Sequence, residues 1–113
     1  MDMDSFAALA DPTRRAIVER LARGEMAAGD IVAVFSLSAP AISQHLKTLR
    51  QAGLVRVRGE GQRRIYSLDP DGLDGMEAWI ARTRRFWSTR LDALAAALDA
   101  PDDTPDDDTE TNP

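Results

Sequence analysis

Seven residues with contact chemistry, Ser38, Pro40, Ala41, Ser43, Gln44, His45 and Lys47, fall in one short stretch of the chain. Laid out at about 100° per residue, Ile42, Leu46 and Leu49 form an apolar stripe with His45 at its edge. Pro40, Gln44, Lys47, Thr48 and Gln51 take the opposite face, flanked by Ala41 and Ser43. Small side chains at the start of such a helix allow close approach, and its first amides point at phosphate. Gln can pair bidentately with adenine, while Lys reads guanine or holds phosphate. His45 has two readings, a phosphate contact or packing at a helix–helix edge. A second set follows, in which Arg56, Arg58, Arg63 and Arg64 flank the turn residues Gly59, Gly61 and Gln62, with Glu60 the sole acid among them. A basic ribbon of this kind suits the minor groove or the sugar–phosphate backbone.

Composition removes most alternatives. The 113 residues suffice for one domain. They include no cysteine, which excludes thiol catalysis, thiolate metal sites and disulfides, and a single histidine, which excludes a multi-histidine cage within one chain. No Ser/His/Asp arrangement, phosphate-cradling glycine loop or paired carboxylate site is evident, so the chain is not expected to be an enzyme or to need a cofactor. No apolar run approaches a membrane span, and the acidic start Met1-Asp2-Met3-Asp4 is unlike a secretory signal. A cytoplasmic protein without membrane contact is therefore expected. The net charge of −5 conceals an uneven distribution. Residues 99–113 carry −7, residues 1–98 carry +2, and Ser36–Ser67 alone carries +5. A basic middle in an acidic chain points to a polyanion partner.

The elements that must position these residues are mainly helical. A short helix to about Ala10 and another over Pro12–Ala22 are predicted, with Asp11 as N-cap, Pro12 in the first turn and Gly24 beyond the end. A third is predicted over Ala27–Phe35. Ser36-Leu37-Ser38 forms a tight turn, Ser38 caps the contact helix to about Gln51, and Gly53 stops it. Leu54–Arg58 alternates apolar and basic residues as a strand does. Gly59–Gln62 is a turn, and Arg63–Leu68 returns as the second strand. The predicted fold class is mainly α with a two-stranded β wing, a winged helix–turn–helix.

Gly72–Leu98 reads as one long helix, with Leu73, Met76, Ile80, Trp87, Leu91, Leu94 and Leu98 on a seam close to a heptad pattern. Such a helix, about 40 Å long by its rise per residue, is more than a domain this small covers alone. A second copy of the chain is the expected cover, with Phe6 and Leu9 of the first helix joining the dimer contacts. The domain assignment is thus residues 1–98 for DNA binding and dimerisation. Residues 99–113 are assigned to a disordered acidic tail, either a solvated extension or an arm that competes with DNA.

Leu9–Arg15 and Ala41–Val55, with Gly61–Leu68 after them, resemble the ArsR/SmtB family of winged helix–turn–helix repressors over about residues 5–98. The resemblance implies a homodimer on an operator palindrome. By it, Ser38, Ser43, Gln44, His45 and Lys47 contact DNA, as do Arg58, Arg63 and Arg64 of the wing. It also exposes departures. Ala27 and Gly29 stand where arsenic sensors of the family carry cysteines, and the long helix has Asp74, Glu77 and Asp92 but none of the histidines of the zinc type. No metal site is therefore expected. The run Trp87-Ser88, Arg90-Leu91-Asp92 and Leu94 resembles a metal-independent, autorepressor-like branch. The sequence names no effector. A protein-interaction module that keeps the fold without operator binding is the alternative.

Overall fold

The computed structural model describes residues 4–99. The acidic tail from residue 100 onward lies outside the described residues. The elements run α1 (Asp4–Ala8), α2 (Pro12–Leu21), β1 (Met26–Ala27), α3 (Ala28–Phe35), α4 (Ala39–Gln51), β2 (Val55–Glu60), β3 (Arg63–Leu68) and α5 (Pro70–Asp99).

Local chemistry sets most of these boundaries. The Asp11 carboxylate accepts from the Thr13 N–H at 2.8 Å and the Arg14 N–H at 3.1 Å, satisfying two orphan donors of α2. Helix α3 ends where Ser36 turns left-handed (φ 54°), and Ser38 then accepts from the Ala41 N–H at 3.2 Å to cap α4. At the far end of α4, Gly53 takes φ 78°. Its N–H bonds the Arg50 carbonyl at 2.9 Å while the Leu54 N–H reaches back to Leu49 at 3.0 Å. That is a Schellman motif, with its hydrophobic contact supplied by Leu49 and Leu54, both wholly buried.

The chain divides into two compact units, one ending at Trp79 and the other beginning at Ile80. In the first, Ile17, Ile31, Ile42, Leu46, Leu49 and Leu54 are the fully buried centre of the core, drawn from α2, α3, α4 and the approach to β2. The stripe predicted for α4 is therefore the face that holds it in place. Ser5 of α1 donates to the Ala52 carbonyl at 3.1 Å, fixing α1 to the end of α4. The second unit is the remainder of α5.

Several boundaries differ from expectation. The hairpin gains a third strand, β1, in the order β1-β3-β2, because Met26 and Ala27 pair with Tyr66 and Ile65. That pairing takes Ala27 out of α3, whose start shifts to Ala28. The hairpin turn contracts to Gly61-Gln62, with Gly59 opposite Arg64 and Glu60 opposite Arg63 in the ladder. Gly61 at φ 63° supplies the positive φ that a two-residue hairpin needs at its first turn position. Helix α1 stops at Ala8 rather than Ala10, and α5 starts at Pro70 and closes at Asp99.

Candidate nucleic-acid interface

Helix α4 presents Ser38, Pro40, Ser43, Gln44, Lys47, Arg50 and Gln51 to solvent and buries Ile42, Leu46 and Leu49 beneath them. Ala41, His45 and Thr48 are half-buried along the edge. The Ser38 hydroxyl is engaged in the helix cap. His45 sits at the edge facing α2, where its Nδ1 lies 3.4 Å from an Arg14 guanidinium nitrogen. A guanidinium only donates, so this contact requires the imidazole tautomer with its proton on Nε2. Arg14 is itself held, donating from Nε to the Ala8 carbonyl at 2.6 Å and lying 3.9 Å from Asp11. The Arg14 N–H holds the Asp11 carboxyl below the ordinary aspartate range, against the desolvation that raises it, with the Thr13 N–H and the charge of Arg14 adding to the lowering.

The strand period of two sorts the wing's charges onto opposite faces. Arg56, Arg58 and Glu60 share a face with their ladder partners Ser67, Ile65 and Arg63. Val55, Val57 and Gly59 share the other with Leu68, Tyr66 and Arg64. On the first face, Arg58 donates to both Glu25 oxygens at 2.7 and 2.8 Å and reaches Glu60 at 3.4 Å. Arg63 meets Asp30 at 3.4 Å. The hydrogen bond from Arg58 depresses the Glu25 carboxyl, and the two acids raise Arg58 beyond its ordinary value. Each of these side chains is about half exposed, so solvent screens the pairs.

Arg56 and Arg64 of the wing, with Lys47 and Arg50 of α4, have no carboxylate partner among the described residues. Of the expected wing contacts, Arg64 and Gln62 are therefore exposed and unpaired, whereas Arg58 and Arg63 are neutralised from within the chain. Arg50 joins the free cations although it did not stand among the expected contacts, and so does Arg56, which belongs to the basic ribbon but which the family resemblance did not single out. Arg50 follows Ser43 and Lys47 along one flank of α4, a helical spacing visible in the sequence. Glu25 and Asp30 lie 33 residues from their arginines, and no local pattern announces them.

The residues assigned to a dimer contact separate between the two units. Leu9, Leu73 and Met76 are partly buried against the chain's own core, and the Phe6 ring lies 5.2 Å from Trp79. In the second unit Ile80, Trp87, Leu91, Leu94 and Leu98 are exposed, together with Phe86. Phe86 meets Trp87 edge-on at 5.9 Å, and the Arg90 guanidinium lies over Phe86 at 5.4 Å. Among the described residues, no group of three or more His, Asp or Glu is placed to hold a metal ion, and no helix is long and apolar enough to cross a membrane.

Residues 11–57, which span α2 to β2, match the model of a family described as bacterial regulatory protein, arsR family. The chain is 46% identical over 99 residues to the HTH-type transcriptional regulator Rv2034 of Mycobacterium tuberculosis, covering 88% of this chain and 90% of that one. It is 43% identical over 75 residues to the transcriptional repressor SdpR of Bacillus subtilis, covering 66% of this chain and 83% of the repressor. Among solved structures, it resembles the homodimeric winged helix–turn–helix DNA-binding domain of a Mycobacterium bovis protein described as a possible ArsR-family transcriptional regulator. The TM-score is 0.60 at 28% identity, over 73% of this chain and 76% of that one.

Proposed function

We propose, because the chain belongs to the arsR family of bacterial regulatory proteins, that it is a homodimeric, sequence-specific repressor that binds an operator palindrome. It is a transcriptional regulator, not an enzyme. The observation that carries the reading is the exposed face of α4, where Gln44 and Lys47 stand over a buried stripe next to cations that no carboxylate of the described chain neutralises. Ser38, Pro40, Ala41, Ser43, Gln44, His45 and Lys47 address the major groove. Gln62 and Arg64 of the wing address the adjacent backbone, with Arg58 and Arg63 behind them.

The second copy covers the apolar seam of α5 at Ile80, Trp87, Leu91, Leu94 and Leu98, and six exposed large apolar side chains on one short segment support this. Phe6, Leu9, Leu73 and Met76, the other residues assigned to the dimer contact, belong to the first unit. Residues 1–98 then act as one DNA-binding and dimerisation module in the cytoplasm, followed by the acidic tail. Zero cysteines and one histidine argue that the repressor does not sense metal through Cys or His.

Fluorescence-anisotropy titration tests this, using duplex from the protein's own upstream promoter and a scrambled duplex at about 50 and 200 mM salt. Salt-sensitive binding that prefers the promoter, by a species of twice the chain mass in sedimentation, is the expected result. Binding to neither duplex at low salt overturns it in favour of a protein-interaction module.

A further inference from the structure

Between α3, α4 and the Tyr66 face of β3 lies an open cavity of about 680 Å³, inside the roughly 300–1,000 Å³ range of small-molecule sites. Ala28 and Val32 of α3 and Ile42 and Leu46 of α4 give it apolar walls. Lys47, Arg50 and Arg64 stand around it, and no Asp or Glu lines it. Two independent features ask for a ligand. The three cations have no carboxylate partner among the described residues. Tyr66, which lines the cavity, is only 6% exposed, and its hydroxyl makes no hydrogen bond among the described residues. A buried phenol ordinarily finds a partner, and an unsatisfied one calls for an explanation. Across the ladder from Arg64 stands Gly59, so no neighbouring strand side chain competes for the guanidinium.

We propose that this cavity binds a small organic carboxylate. The apolar body lies against Val32, Ile42 and Leu46, Arg64 and Lys47 or Arg50 hold the carboxylate, and the Tyr66 hydroxyl donates to one of its oxygens. A bare phosphate or sugar phosphate fits less well, because it has no apolar body to set against Val32, Ile42 and Leu46, although Ser43 and Gln51 add donors to the rim. Lys47 and Arg64 also belong to the DNA-facing set, so a bound acid withdraws cations that DNA needs and acts as an inducer by direct competition. That last step rests on the DNA-binding reading; the binding itself does not.

Calorimetry of the full chain without DNA tests the site, with octanoate and benzoate as probes, octanamide and benzamide as neutral isosteres, and inorganic phosphate as the small anion. One of the acids is expected to bind in the millimolar range or tighter, its amide at least about tenfold more weakly, and phosphate more weakly still. Tyr66→Phe, which removes one oxygen and keeps the ring in the core, should weaken the acid about tenfold, and Arg64→Gln by at least as much. Val32→Phe, which fills the apolar wall, should abolish binding. The proposal is overturned if neither acid binds at about 10 mM, if amide or phosphate matches the acid, or if Tyr66→Phe binds as the wild type does. In a second arm, the bound acid should release promoter duplex from the wild type and not from Tyr66→Phe. Binding without release would overturn the inducer role and retain the site. Absence of any DNA binding would sink the repressor reading and leave the calorimetry to stand.

Discussion

Removing Arg64 and removing Arg58 should not be equivalent, although both are wing arginines. On duplex DNA each phosphate contact contributes about 0.9 to the slope of log K against log salt. A dimer brings two copies of Arg64, so Arg64→Ala should flatten the slope by about 1.8. Between about 50 and 200 mM salt, the wild type should then lose about twelvefold more affinity than the variant. Arg58 starts from a different position. It donates to both oxygens of Glu25 and reaches Glu60, so this group of three carries a net charge of −1 and repels an approaching phosphate. Arg58→Ala should flatten the slope by less than half as much as Arg64→Ala. Glu25→Gln leaves the guanidinium with Glu60 alone, brings the group from −1 to neutral and should steepen the slope, and the double variant Glu25→Gln/Arg58→Ala should return it to the wild-type value. Anisotropy titrations of the wild type, Glu25→Gln, Arg58→Ala and their double variant on one promoter duplex form a double-mutant cycle read in salt dependence rather than in stability, with Arg64→Ala measured beside it. Equal flattening by Arg58→Ala and Arg64→Ala would refute the reasoning, because Arg58 would then be exchanging its carboxylates for phosphate on binding. An unchanged slope in Glu25→Gln would do the same, by showing that a freed Arg58 still does not reach DNA.

Three other perturbations have defined outcomes. A Cβ on Gly72 would collide with the backbone carbonyl of Gly53, which the Schellman motif holds in place, whereas one on Gly75 meets open space. Gly72→Ala should therefore destabilise the chain by about 1–3 kcal/mol or more, and Gly75→Ala in the same helix should gain up to about 1 kcal/mol, both read from denaturation midpoints. The Asp11 carboxyl has a depressed pKa, so its ionised form stabilises the fold above the ordinary aspartate range, and that contribution is lost as pH falls through the depressed value. Asp11→Asn keeps a capping side chain, so its melting temperature should lie below the wild type's near neutrality and converge with it in acid; a gap independent of pH would remove the charge from the account. Gln44→Ala should cost about 1–3 kcal/mol on the promoter duplex at the base pair it reads, and much less on a scrambled one; equal weakening on both would make Gln44 a backbone contact.

Most of the fold is legible in the sequence because its punctuation is local. Asp11 with Pro12, Ser38 with Pro40, and Gly53 each act through hydrogen bonds to residues within five positions, and those bonds are present. Strand β1 was not legible. Two residues carry no period, and Met26 and Ala27 become a strand only because Tyr66 and Ile65, about 40 residues on, offer them a ladder. The seam of α5 was legible as a pattern but not as a destination. Leu73 and Met76 belong to the same series as Leu91 and Leu94, yet the first pair packs against the chain's own core and the second stands in solvent. Hydrophobic spacing reports that a face is covered, not by what.

The same distinction governs the charge. Counting along the chain gives six cations against one acid between Ser36 and Ser67, and from that count every wing arginine is an equal candidate for DNA. Folding brings in Glu25 and Asp30 from outside the segment, and β pairing sets Glu60 opposite Arg63 and next to Arg58 on one face. Arg58 and Arg63 are thereby drawn to the α3 side of the wing. Lys47, Arg50, Arg56 and Arg64 keep their charge for whatever approaches. The set of cations without a carboxylate partner is therefore smaller than the basic count, and three of its four members, Lys47, Arg50 and Arg64, border the cavity that Tyr66 lines. One set of unpaired cations then faces two claimants, a phosphate backbone from outside and an organic acid from within. Competition between them follows from shared residues and requires no movement to be transmitted across the protein.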